Sequence, residues 1–262
     1  MSERGVLLVN LGSPKSTQVA DVRRYLNQFL MDPYVVDLPW PARRLLVSLI
    51  LLTRPKASAH AYASIWWEDG SPLLVISRRV QQALQQQLDM PVELAMRYGE
   101  PSIEQGLLAL AARPGIREVL FMPQYPQHAD STITTSVHEA QRVIKQHGLD
   151  IRLNVVPAFY DRPNYLAALA DSMRPYLAQG FDHLLLSYHG LPERHLRKAD
   201  PTGAHCLASG DCCERASAAH ATCYRAHCSY VSRELAARLE LAPEQCSMAF
   251  QSRLGRDKWI EP

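Results

Sequence analysis

The residues with most chemistry to offer are His189 and five cysteines, Cys206, Cys212, Cys213, Cys223 and Cys228. His189 closes the run Leu184-Leu185-Leu186-Ser187-Tyr188, and Gly190 and Pro192 follow it. A neutral imidazole takes up a proton near pH 7 or ligates a metal, so His189 is a candidate for either; the plainer reading is a hydrogen bond within a loop. The cysteine spacing is C-x5-C-C-x9-C-x4-C, with His205, His220 and His227 among them as alternative ligands. It contains no C-x2-C pair, which argues against a zinc ribbon or finger. Four thiolates suit an iron–sulfur cluster, whereas free thiols in a surface loop need no metal at all. A sixth cysteine, Cys246, opens the last apolar run and reads as a small buried hydrophobe.

Elements able to position these residues follow one another along the chain. Val6–Leu11 reads as a buried strand ending in Asn10-Leu11-Gly12-Ser13-Pro14, and Gln18–Leu30 has helical spacing that stops at Met31-Asp32-Pro33. VVDLPWPARRLLVSLILLTRPK is unusually apolar and flanked by cations; it reads as a buried helix or as an apolar lip. Ala61–Pro72 is expected to be an aromatic loop and Pro72–Leu88 a helix. Strands are expected at Val92–Tyr98, Arg117–Met122 and Ile151–Pro157, with helices between them through Leu110 and up to His147. Ser131 and Thr132 are placed to cap the second of these helices. A helix over Tyr165–Leu177, interrupted by Pro175, precedes the His189 strand. A polar, cysteine-rich insertion, a helix over Tyr230–Leu239 and a strand over Ser247–Gln251 complete the pattern. Alternating strand and helix predicts an α/β protein with doubly wound parallel sheets, whose ligands sit at the carboxyl ends of the strands. A break near Asp150 divides it into halves, 1–150 and 151–262, with the insertion at about 200–228 and a cleft between the halves.

The bulk numbers agree. The chain has 262 residues, 47% hydrophobic and 21% charged, with a net charge of +2 and no isolated Lys/Arg block; nucleic acid is not an expected partner. The amino terminus lacks a signal-peptide pattern, and Leu45–Leu52 is too short to span a bilayer, so a cytosolic protein is expected. The final strand ends the chain without a covering helix, so a further C-terminal segment is expected.

Several motifs occur in order: NLGSP (Asn10–Pro14), FLMDPYVVDLP (Phe29–Pro39), the MRYG and PQYPQ loops, SYHGLPER and FQSRLGRDKWIEP. Together they resemble the ferrochelatase family along essentially the whole chain, most closely its proteobacterial members. The resemblance implies two Rossmann-like, chelatase-type halves, the second incomplete, enclosing protoporphyrin IX into which ferrous iron is inserted to form protohaem. It implies that His189 removes pyrrole protons, holds the iron, or both. It further implies that Arg97, Tyr98, Tyr125, Ser131, Thr132 and Trp259 contact the porphyrin. The segment Arg43–Arg54 matches a lip that guards the cleft and contacts the inner membrane face in some members. The family's second acidic group belongs to a PAF-type motif beyond Pro262. Glu193 is no substitute and reads as a helix-start residue. Weak or absent turnover is therefore the expectation for these residues alone. Some bacterial members hold a [2Fe–2S] cluster in a similar insertion; Cys206, Cys212, Cys213 and Cys223 are the favoured ligands, with Cys228 as the alternative. The competing readings are a porphyrin or metal carrier of the same fold, a cobalt or nickel chelatase, or a redox sensor run by the cysteines.

Overall fold

The computed structural model describes residues 3–252 and 257–262. The chain forms two compact units, Met1–Gln124 with Ser131–Pro157, and Tyr125–Asp130 with Ala158–Pro262.

The first unit is built on β1 (Arg4–Gly12), whose residues alternate between two apolar layers. Leu7 and Val9 face α4 (Ile103–Ala111) and α5 (Thr135–His147), packing among Leu107, Leu110, Ala140 and Val143. Val6 and Leu8 face α3 (Pro72–Gln87) and meet Leu74 and Leu84. A strand buried on both faces needs this continuous apolar run, which is why β1 reads as Val-Leu-Leu-Val. β2 (Val92–Tyr98), β3 (Glu118–Pro123) and β4 (Arg152–Val155) complete a parallel sheet in the order β2-β1-β3-β4. Strand order reverses between β1 and β3, the switch point where open α/β sheets bind ligands. Gly12 ends β1 at φ +113°, and a Cβ there would lie 1.7 Å from the Tyr98 carbonyl oxygen, so only glycine fits.

α1 (Val19–Leu30) pairs with α2 (Trp40–Ile65) through Leu26, Leu30, Val47 and Leu51. The apolar stretch that reads as a buried helix or an apolar lip is a helix that buries only one stripe, Arg43, Val47, Leu51, Pro55 and Ala59. Trp40, Leu45, Leu49 and Leu52 are exposed, Leu52 by 70%. The helix also runs into the first five residues of the segment expected to be an aromatic loop, ending at Ile65. Pro55 has no N–H for the Leu51 carbonyl, and Arg23 Nη1 donates to that oxygen instead at 2.7 Å. Ser131 and Thr132 do not cap α5. They lie in a π-turn over Asp130–Thr134 that leads into it, and Ser136 Oγ donates back to the Thr132 carbonyl.

The second unit contains α6 (Pro163–Leu177), β5 (Leu184–His189), α7 (Glu193–Ala199), α8 (Tyr224–Arg238) and β6 (Cys246–Gln251). β5 and β6 are parallel, with His189 opposite Gln251. Leu184, Leu186 and Tyr188 face Leu166, Ala170, Val231 and Leu235 of α6 and α8. The alternate set, Leu185, Ser187 and His189, points the other way and is exposed. Pro175 lies inside α6 without ending it. α8 begins six residues before the expected Tyr230, because His227, Cys228, Val231 and Leu235 make a buried stripe in which the thiol acts as a small apolar group. Cys246 is only half-buried, packed at the edge of the α6–α8 layer.

Candidate active site

His189 ends β5, and its position is determined by the backbone on both sides. Its partner in the ladder is Gln251, and the next amide, Gly190 N–H, donates to the Gln251 carbonyl at 2.7 Å. A Cβ at Gly190 would come 3.0 Å from that oxygen and 3.2 Å from Trp259 Cε3, so the turn after His189 leaves no room for a side chain. Trp259 is held there by a short antiparallel bridge to Pro192, with Glu193 N–H donating to the Lys258 carbonyl and Ile260 N–H to the Leu191 carbonyl. Partial burial of the imidazole lowers its pKa below the usual 6.5, which keeps it neutral and able to accept a proton. Glu193 is the first residue of α7, as expected. Its carboxylate is buried between Arg197 at 2.8 Å and Lys258 at 3.0 Å, a structural ion pair. Tyr125 sits in the short segment Tyr125–Asp130 that joins this unit, anchored where Phe159 and Tyr160 N–H groups both donate to the Pro126 carbonyl at 3.0 Å.

In the first unit Arg97 and Tyr98 end β2, and both lean on a carboxylate that had read only as a helix stop. Asp32 Oδ2 accepts from Arg97 Nη2 at 2.5 Å, Tyr98 Oη at 2.9 Å and Thr135 Oγ1 at 2.5 Å. Arg97 Nε donates to Thr135 Oγ1 at 2.8 Å, and the guanidinium lies 4.6 Å from the centre of the Tyr98 ring. Tyr98 is fully buried, and burial pushes its phenol far above the usual range. The Tyr98 hydroxyl is thus engaged inside the core by Asp32. Arg97 is neutralised by the same carboxylate. Asp32 and Thr135 are the residues sequence reasoning missed. The signal was Asp32 in a Met-Asp-Pro turn, where helix termination explained it well enough. At the end of β1, the Ser13 hydroxyl is buried with no hydrogen-bond partner among the described residues, beside the switch point. An unsatisfied buried hydroxyl there is suited to a ligand group.

The insertion brings four cysteines into one buried cluster with Leu196, Ala219, Ala226 and Ile260: Cys206, Cys212, Cys213 and Cys223. Cys223, immediately before α8, is lowered to about 6, chiefly by its hydrogen bond with Cys213 and helped by the amides of Ala226 and Arg225 and by Cys206. The Cys213 thiol is raised by the same bond, and burial raises Cys206. Arg225 Nη1 lies 3.8 Å from both Cys212 Sγ and Cys213 Sγ. Asp200 ties down the loop, accepting the N–H groups of Cys206, His205 and Thr202, and these bonds hold its carboxyl well below the usual range. Cys228 stands outside this cluster; it is fully buried one turn along α8 and interacts with the Tyr224 hydroxyl. Among the described residues no three His, Cys, Asp or Glu side chains are grouped to hold a single metal ion.

Two α/β units with parallel sheets, carrying polar and aromatic residues at their carboxyl strand ends, place the chain in the Rossmann-like α/β class. A family model described as Ferrochelatase matches residues 3–262. The chain is 65% identical to the ferrochelatases of Stutzerimonas stutzeri (strain A1501) and Ectopseudomonas mendocina (strain ymp), and 63% identical to that of Pseudomonas fluorescens (strain SBW25). Each alignment takes in 100% of this chain and 77% of the relative. The chain belongs to the ferrochelatase family, lyases that insert ferrous iron into protoporphyrin in haem synthesis.

Proposed function

We propose that this chain inserts ferrous iron into protoporphyrin IX, with His189 as the group that takes up pyrrole protons as the metal enters. The observation that carries this reading is the exposed His189 at the carboxyl end of β5, held by the β6 ladder and by Gly190, with a depressed pKa. A porphyrin loses two N–H protons on metallation, and a neutral imidazole is a suitable acceptor. Tyr125, Ser131, Thr132 and Trp259 supply apolar and hydrogen-bonding surface for the macrocycle. Arg97, already paired with Asp32, contributes directed N–H groups rather than net charge, and Tyr98 supports it from beneath. An anaerobic assay that follows loss of protoporphyrin fluorescence on adding ferrous iron tests this. Tight porphyrin binding with no iron uptake would replace the enzyme by a carrier.

We infer that the cysteine pocket holds a [2Fe–2S] cluster in the loaded protein. Each iron of such a centre takes two protein ligands, so four thiols linked as Cys206–Cys223–Cys213 with Cys212 alongside suit it, and no three-ligand site is required. When bound, the cluster supplies a one-electron centre. The protein's part is to bury the sulfurs, set Arg225 beside two of them and hold the loop through Asp200. Substituting serine for Cys206, Cys212, Cys213 or Cys223 is expected to remove iron, sulfide and visible absorption together, while Cys228→Ser keeps them. Absence of iron and sulfide from anaerobically purified protein would end this assignment.

Among the described residues no helix is long and apolar enough to cross a membrane. The exposed stripe Leu45, Leu49 and Leu52, with Trp40 exposed at the start of the helix and Arg44, Arg54 and Lys56 around it, suits an anionic lipid surface, with the leucines in the interface and the cations at head groups. Sedimentation with anionic vesicles is expected to carry the protein down. Leu45→Glu with Leu49→Glu should weaken that binding by more than about tenfold, since each buried leucine is worth about 1.5–3 kcal/mol. Unchanged sedimentation would exclude this surface.

A further inference from the structure

His227 is fully buried in α8 and belongs to no part of the proposed reaction. Both its ring nitrogens are committed, and the partners decide the tautomer. The His128 main-chain N–H can only donate, and it lies 3.1 Å from His227 Nδ1. The His220 carbonyl can only accept, and it lies 2.6 Å from His227 Nε2. The ring is therefore neutral with its proton on Nε2. It stacks on Tyr160 at 3.7 Å between centroids, and the Tyr160 amide donates to Pro126. At the other end, His220 Nε2 donates to the Cys212 carbonyl at 3.0 Å, and His205 Nε2 donates to the same oxygen at 2.7 Å. A continuous path thus runs from the Cys212 backbone through His220 and His227 to the backbone of the segment carrying Tyr125. The backbone N–H of His227 also bonds to the Cys223 carbonyl, so the ring is carried on the same turn as a cluster thiol.

We propose that His227 is a positioning residue that locks the Tyr125–Asp130 segment to the cysteine pocket, so that the state of the thiols sets the order of that segment. An imidazole bonded at both edges between two backbone segments cannot shift one without straining the other. Loss of sulfur chemistry in the pocket loosens the Cys212 carbonyl, and the disturbance reaches His128 by hydrogen bonds alone. The consequence for porphyrin affinity rests on the function proposed above; the coupling itself does not.

Hydrogen exchange of the His128 amide and of peptides spanning 125–130 reads the coupling directly, in the full chain and without turnover. His227→Phe keeps the stack on Tyr160 and removes both edge bonds. It should speed exchange of the His128 amide by about tenfold, the equivalent of one lost buried hydrogen bond. Cys213→Ser should speed the same amide several-fold in the wild-type background and leave it unchanged in the His227→Phe background, because the connection is already cut. His227→Gln, with one acceptor and one donor, should recover part of the protection, and it serves if the phenylalanine variant does not fold. In the metallation assay His227→Phe should raise KM for porphyrin several-fold with little change in kcat. The proposal is overturned if Cys213→Ser leaves wild-type exchange unchanged, if its effect is equal in both backgrounds, or if neither His227 variant alters protection of the segment. Altered exchange in a protein that does not bind porphyrin keeps the coupling and rejects the function.

Discussion

His189→Ala lowers the rate of iron insertion by roughly 10²–10⁴-fold and leaves porphyrin affinity within about threefold of the parent protein. The expectation follows from where the side chain stands. It shares the exposed face of β5 with Leu185 and Ser187, so truncation opens no cavity in the α6–α8 layer and the fold is retained. What is lost is a base. Burial lowers the imidazole pKa, so the group stays neutral to a pH below 6.5. The sign follows: the neutral form is the active one, so kcat/KM is full above the His189 pKa and falls as pH drops through it. That acid limb should therefore centre below 6.5 and be missing from the residual activity of His189→Ala. An alanine variant that metallates porphyrin at the parent rate, or an unshifted acid limb in both proteins, removes His189 from the chemistry.

Asp32→Ala costs about 3–5 kcal/mol of stability, the range for breaking a buried ion pair on one side. The Asp32 side chain is 1% exposed and that of Arg97 15% exposed, so the guanidinium left behind cannot recover its charge balance from water. Tyr98 and Thr135 lose their acceptor at the same time. Thermal unfolding should move down by roughly 10 °C. The double variant Asp32→Leu with Arg97→Leu should be less destabilised than the sum of its single changes, because removing both charges avoids the stranded cation. A single-variant loss under about 0.5 kcal/mol, or strict additivity, would mean that the network does not hold the end of β2. Porphyrin affinity in folded Asp32→Asn protein then reports whether Arg97 must be fixed to serve the ligand.

Most of the framework was legible in order along the chain. The runs at Val6–Leu11, Val92–Tyr98 and Leu184–Leu186 became β1, β2 and β5, because strands buried among helices need uninterrupted apolar residues. Pro72 opens α3 as expected, at a position where a missing N–H costs nothing, whereas α6 starts at Pro163, two residues before the expected Tyr165. What was not legible has common causes. Apolarity leaves α2 open between a buried helix and an exposed lip, because burial is a property of neighbours, and only the Val47–Leu51 stripe finds any. Ser131 and Thr132 had the right chemistry for caps, but the chain enters α5 through a π-turn that takes their backbone elsewhere.

Residue types and motif order alone were enough for the family, the parallel α/β class and the terminal position of His189 on its strand. Those properties depend on local pattern, which a linear chain carries. Only the folded chain decided that Asp32, 65 residues from Arg97, is its counter-ion. The same holds for Tyr98, whose hydroxyl points into the core, and for His227, which bridges His128 and His220. Such partnerships join residues far apart in sequence, and no periodicity records them. They arise when packing removes water and each buried polar group must find whichever donor or acceptor the fold brings within reach.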